Sequence, residues 1–202
     1  MLHRLASRVS MRSRERKLRL FLEAFGPGPE TTVVDIGVTD APFGGGSSDN
    51  FFEARYPWPE RITAVGITEL DRFREAFPRI AAVRADGREL PFVDAAFDLA
   101  FSNAVVEHVG GGREGQRQFV HELCRVARRV FVTTPNSRFP LEVHSLVPFA
   151  HWLPRDMRDR ILRARGFDDV LEPLSARELA SLFPYPVRIL NRGITLIAIG
   201  PK

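Results

Sequence analysis

Thr31-Thr32-Val33-Val34-Asp35-Ile36-Gly37 decides the fold. A short β-branched run closed by an acid and a glycine reads as a buried parallel strand ending in a tight turn. Upstream, Phe25-Gly26-Pro27-Gly28-Pro29 must end any helix before it. Leu18, Phe21, Leu22 and Phe25 recur at helical spacing and predict an amphipathic helix there, extended by Leu2, Leu5 and Val9. Downstream come a polar loop over 39–50 with Gly44-Gly45-Gly46, and a short helix over 50–56. Further strands are predicted at 62–67, 81–85, 97–102 and 130–134, with helices over 70–77 and 114–129. The three arginines Arg125, Arg128 and Arg129 would then sit in the last turns of the second of these helices, where the dipole favours cations. Ser175 reads as the N-cap of a helix over 176–183, and Asn191-Arg192-Gly193 as the turn of a closing hairpin. Alternating strands and helices with a terminal hairpin imply a single doubly wound, Rossmann-like α/β domain. Its mostly parallel seven-stranded sheet would have an antiparallel last strand and an N-terminal helical cap.

The chain has 202 residues, enough for one domain with a full core and too few for two ordinary ones. Apolar residues at 44% and charged residues at 27% argue against global disorder. The net charge of +4 raises a nucleic-acid partner, but it is unevenly placed. Residues 1–20 hold seven basic residues against Glu15, a local +6. The remaining 22 basic and 24 acidic residues leave −2. A lone cysteine, Cys124, excludes an internal disulfide and a cysteine-rich zinc site, and no metal is expected. No apolar run has the length of a membrane span, and the start lacks the long apolar stretch of a secretory signal. The expected setting is the cytoplasm.

In an open parallel sheet the ligand lies beyond the carboxyl ends of the strands, where the strand order reverses. The residues there are Asp35-Ile36-Gly37, Thr68-Glu69, Asp86-Gly87, Ser102-Asn103 and 133–136. Acids at such a point suit ribose hydroxyls, an ammonium or an exocyclic amine, whereas a pyrophosphate wants glycine amides and positive charge. Asp98 opens its strand, at the wrong end for a ligand, and reads as structural.

Six segments in order carry a family resemblance: 33–37 (VVDIG), 64–69 (AVGITE), 85–87 (ADG), 90–92 (LPF), 97–99 (FDL) and 102–108 (SNAVVEH). The chain resembles the class I S-adenosylmethionine-dependent methyltransferases, and most of all their type 11 branch. The resemblance implies S-adenosylmethionine as cofactor. It implies that Asp35, Gly37 and Val38 meet its methionine part, Thr68 or Glu69 its ribose, Asp86 with Gly87 its adenine, and Ser102 and Asn103 its sulfonium end. Where the family usually continues with further turn glycines, Gly37 is followed by Val38-Thr39-Asp40.

Residues 134–170 have the mixed apolar and polar character of a substrate lid. Within it His144 and Glu142 are candidate general bases, and His108 is a third candidate near the transferred methyl. Many methyl transfers need alignment alone. The expected activity is transfer of a methyl group to a small-molecule acceptor, at oxygen. Two alternatives stand beside it: a noncatalytic cofactor- or partner-binding domain on the same scaffold, and an RNA-directed enzyme anchored by the basic helix over 1–26. Oligomeric state is not encoded in any motif of the chain.

Overall fold

The computed structural model describes residues 2–43, 49–140, 152–164 and 171–201. Helix α1 (Leu2–Phe25) comes first and stops at Gly26, whose φ of 56° forms the left-handed cap and whose N–H returns to the Leu22 carbonyl. Then follow β1 (Val33–Ile36), α2 (Phe51–Arg55), β2 (Ile62–Gly66), α3 (Asp71–Ala76) and β3 (Ala81–Arg84). After these come β4 (Phe97–Asn103), α4 (Gly112–Val126), β5 (Ala127–Pro135), α5 (Arg155–Ala164), α6 (Ala176–Ser181), β6 (Arg188–Asn191) and β7 (Thr195–Gly200). The strands form one sheet in the order β3-β2-β1-β4-β5-β7-β6. β7 runs antiparallel to both its neighbours and the other six strands share one direction, as the alternation and the terminal hairpin predict.

Strand alternation sorts the core into two layers. Val34 and Ile36 of β1 pack with Ala100 of β4 and Phe119, Val120 and Leu123 of α4. Val33, Leu99 and Phe101 face the opposite layer, with Phe21 of α1 and Phe52 of α2. By the same alternation, Asp35 and Asn103 belong to the α1/α2 side and Ser102 to the α4 side. That parity decides which of them reach the site. Phe21 is fully buried and meets Phe25, Phe52, Tyr56, Phe101 and Phe131 edge-on, at centroid distances of 5.1–6.2 Å, so α1 is rooted in the sheet.

One boundary expected from the sequence is corrected. The helix expected to run to 129 ends at Val126, because Ala127 is already extended (φ −130°, ψ 146°) and opens β5. Arg128 and Arg129 therefore lie on a strand, not in a helical last turn. Arg128 points toward Asp98, and the Arg129 guanidinium sits 4.5 Å above the Phe25 ring. No helix joins β3 to β4: residues 85–96 form a loop that Arg125 holds by donating to the Leu90 and Phe92 carbonyls. In α5, Arg160 and Arg163 are exposed but Arg158 is buried. Asp98 is structural as expected: its carboxylate accepts from the N–H and hydroxyl of Thr32, tying β4 to the entry of β1.

Candidate active site

β1 lies between β2 and β4, so the strand order reverses at its carboxyl end. A cavity of about 750 Å³ opens there, walled by residues leaving β1, β2, β3 and β4. Gly37 makes the first turn at φ 110°, and a Cβ on it would overlap the Val105 side chain. The N–H groups of Gly37 and Val38 both donate to the Val65 carbonyl, at 2.8 and 3.2 Å, which swings the loop toward β2. Beyond Gly37 the loop is shaped by side chains where glycines were expected. The Asn50 amide accepts from the Thr39 N–H and donates to the Thr39 carbonyl. The Asp40 carboxylate accepts from the Phe73 N–H in the first turn of α3. Gly44-Gly45-Gly46 lie outside the described residues.

Of the expected cofactor residues, Gly37, Val38, Thr68, Asp86 and Gly87 line this cavity together with His108. Both Asp86 oxygens accept from Arg88, and these bonds hold the carboxyl below its ordinary range. At Gly87 a Cβ would lie 2.5 Å from the Phe119 ring, so the chain passes too close to α4 for a side chain. Glu69 is not part of the cavity wall; it turns outward and ion-pairs with Arg84. Ser102 lies on the α4 side and donates to the Ile36 carbonyl at 3.1 Å, stitching the ends of β4 and β1. The candidates Glu142 and His144 lie outside the described residues, as does much of the expected lid. Glu107, beside His108, is fully buried and accepts from the Thr134 hydroxyl at 2.9 Å.

A smaller recess of about 220 Å³ adjoins the main cavity, sharing Gly37, Val38 and Ala104 with it. Asp35, Glu53, Arg14 and Asn103 face it. Asp35 and Glu53 are 6% and 3% exposed and their carboxyl groups neighbour each other. Burial raises both, Asp35 well above its ordinary value, and for Asp35 the adjacent Glu53 raises it further. Arg14 stands over the pair, its own pKa lowered by burial against the pull of Asp49, Glu53 and Asp35. One turn along α1, Lys17 Nζ donates to Asn103 Oδ1 at 2.8 Å, and that oxygen also accepts from Thr133. Burial and the neighbouring Arg14 lower the Lys17 pKa to about 8.

Arg14, Lys17 and Glu53 were not singled out from the sequence. A signal for two of them exists: Arg14 and Lys17 continue the helical stripe of Leu18, Phe21 and Phe25, so two cations occupy the face that packs inward. Glu53 sits in a five-residue helix, too short to show a periodicity. Among the described residues no group of three or more His, Cys, Asp or Glu could hold a metal ion.

Residues 39–130 match a family model described as a methyltransferase domain, the Methyltransf_11 model. No curated protein sequence matches the chain. Among solved structures, a S-adenosylmethionine-dependent methyltransferase from Mesorhizobium loti is similar at TM-score 0.61 and 17% identity, covering 88% of this chain and 94% of that one. The 1,6-didemethyltoxoflavin-N1-methyltransferase of Burkholderia thailandensis is similar at 0.55 and 16%, covering 91% and 75%. A geranyl diphosphate C-methyltransferase from Streptomyces coelicolor A3(2) is similar at 0.58 and 13%, covering 94% and 79%. Residues 39–130 thus match a methyltransferase-domain model, and the strand order is that of the solved methyltransferase structures, so the fold is methyltransferase-like.

Proposed function

We propose that this enzyme methylates a small molecule at oxygen, and that the cavity at the ends of β1–β4 holds its cofactor. The observation that carries the reading is the donor set on that cavity. Its apolar walls (Ile36, Val65, Val105, Phe119) suit a flat base, and Asp86 at the end of β3 can accept from an exocyclic amine. Thr68 is placed for ribose hydroxyls, with Glu69 within one residue should its ion pair with Arg84 open. Asp35, Gly37 and Val38 form the turn that meets the amino-acid part, and the recess beside it offers both acid and guanidinium. Ser102 holds the two strand ends in register, while Asn103 faces the site. When bound, S-adenosylmethionine supplies the electrophilic sulfonium methyl.

An oxygen acceptor must shed its proton as the methyl arrives. Lys17, held at the β4 edge with its pKa lowered to about 8, is partly neutral near that pH and can take such a proton. His108, on the main cavity wall, is the second candidate, and Glu142 and His144 remain candidates from the segment after β5. The near-neutral body of the chain favours a small acceptor over a polyanion. Calorimetric titration with S-adenosylhomocysteine tests the cofactor site. Transfer of labelled methyl to panels of hydroxyl, amine and thiol acceptors tests the atom. Binding of the product and label on hydroxyl acceptors are expected. No binding overturns the cofactor site, and label confined to nitrogen or sulfur overturns the acceptor.

A further inference from the structure

The proposed cofactor site contains a feature that methyl transfer does not require. Asp35 on β1 and Glu53 on α2 are both buried, and their carboxyl groups neighbour each other on one recess. Two buried carboxyl groups so placed favour holding one proton between them, since two ionised ones repel. Glu53 Oε1 is buried with no hydrogen-bond partner, and Glu53 faces the recess beside Gly37. The Nε of Arg14, which lines the same recess, is likewise buried without a partner. A recess that offers both a free acceptor and a free donor has the polarity of an α-amino acid zwitterion. Its ammonium fits the carboxyl pair and its carboxylate fits Arg14.

We propose that Glu53 is a cofactor-binding residue: with Asp35 it stores one proton in the free protein and releases it to solvent when the cofactor's ammonium enters the recess. The inference rests on the cofactor placement proposed above. No covalent bond changes. An O–H bond of the pair gives its proton to bulk water or buffer, and the carboxylate so formed accepts from the ammonium N–H groups. The charged group acting on the pair is Arg14 of α1, and Asp49 of the loop before α2 lines the same recess and acts on Arg14. Lys17 stands behind Arg14, and β4 contributes the uncharged Phe101 and Asn103. Arg14 favours loss of the proton, and burial favours keeping it until a cation arrives. Binding is therefore linked to pH, tightening by up to about tenfold per pH unit as the pH rises toward the pKa of the pair, and levelling off above it.

Calorimetric titrations of the full chain in buffers of different ionisation enthalpy count the protons exchanged. With S-adenosylhomocysteine, release approaching one proton is expected below the pKa of the pair. With 5′-methylthioadenosine, which lacks the amino-acid end, release near zero is expected. Glu53→Gln, which preserves volume, should bring the first value near zero. In the unmutated protein, infrared difference spectra should show loss of a protonated-carboxyl band on adding S-adenosylhomocysteine but not 5′-methylthioadenosine, a readout independent of whether the variant folds. Binding of S-adenosylhomocysteine with no proton release and no band loss overturns this proposal and leaves the cofactor site standing. Failure of both ligands to bind overturns the cofactor site and the proposal with it.

Discussion

Phe21→Ala removes the side chain that roots the N-terminal helix in the sheet. The ring is fully buried and meets five aromatic rings, two of them on β4 and β5. Truncating a buried Phe to Ala costs about 3–5 kcal/mol through lost transfer energy and the cavity left behind. Each edge-to-face pair contributes about 0.5–1.5 kcal/mol beyond area, although such pairs do not add fully. These place the loss near the top of the range, about 4–5 kcal/mol. In a chain of this size that corresponds to a fall in Tm of roughly 8–20 °C. Arg19→Ala, exposed on the same helix, should change stability by less than about 0.5 kcal/mol. Urea unfolding followed by circular dichroism measures both variants against the unmutated protein. Because Arg14 and Lys17 reach the site from the same helix, Phe21→Ala should also weaken binding of S-adenosylhomocysteine. A loss below about 1.5 kcal/mol would show that α1 is not part of the core, and the assignment of Arg14 and Lys17 to the site would fall with it.

Gly37→Ala forces a Cβ into Val105 at a φ of 110°, with an expected cost of about 2–5 kcal/mol by thermal unfolding, and Val105→Ala should recover part of it. Asp86→Ala should weaken S-adenosylhomocysteine by about 10–100-fold in calorimetry, the range for losing a hydrogen bond to a charged group. Lys17 has a folded pKa near 8 against 10.5 in a free side chain, so between those values the unfolded chain binds more protons and stability rises with pH. Lys17→Met should therefore exceed the unmutated protein in stability by up to about 3 kcal/mol below pH 8, and urea midpoints should show that advantage fading toward pH 10.5. An advantage independent of pH would mean that Lys17 titrates normally in the fold.

Local chemistry made much of the fold readable. Val33–Ile36 is apolar but for one acid because a central parallel strand is covered on both faces, and all four residues are buried. Ser175 is the N-cap expected at the start of α6, and Glu178 completes it by accepting from the Ser175 N–H. The boundary at Ala127 was hidden because helix and strand abut without a breaker, and Arg128 and Arg129 suit an exposed strand position as well as a helical last turn. The site was readable where strand ends supply it: Asp35, Gly37, Thr68, Asp86 and Gly87 all sit on the cavities at the sheet's carboxyl edge. It was unreadable where contact depends on distant segments. Glu53 matters only because α2 lays it against Asp35, and no local pattern announces a pairing across 18 positions of chain. Which of Thr68 and Glu69 meets a ribose depends on the competing ion pair with Arg84, a tertiary contact no spacing encodes.

The uneven charge takes on a different meaning once the helix is placed. Arg12, Arg16 and Arg19 are exposed, whereas Arg14 and Lys17 turn inward onto the ends of β1 and β4. The inward cations face acids of the near-neutral body, Asp35, Glu53 and Asp49 for Arg14 and Glu107 for Lys17. Part of the basic excess is thus drawn into the site by desolvated charge pairing, where removing one partner costs more than the pair itself contributes. A helix whose sole task was to hold a polyanion would keep its cations in solvent, where they can replace condensed counterions. Two of these cations are instead packed against the recess and the β4 edge, where the proposed function needs a zwitterion and an acceptor proton to be managed. The same helix that closes the hydrophobic layer over β1 and β4 therefore carries the positive groups of the site, which couples the order of α1 to binding.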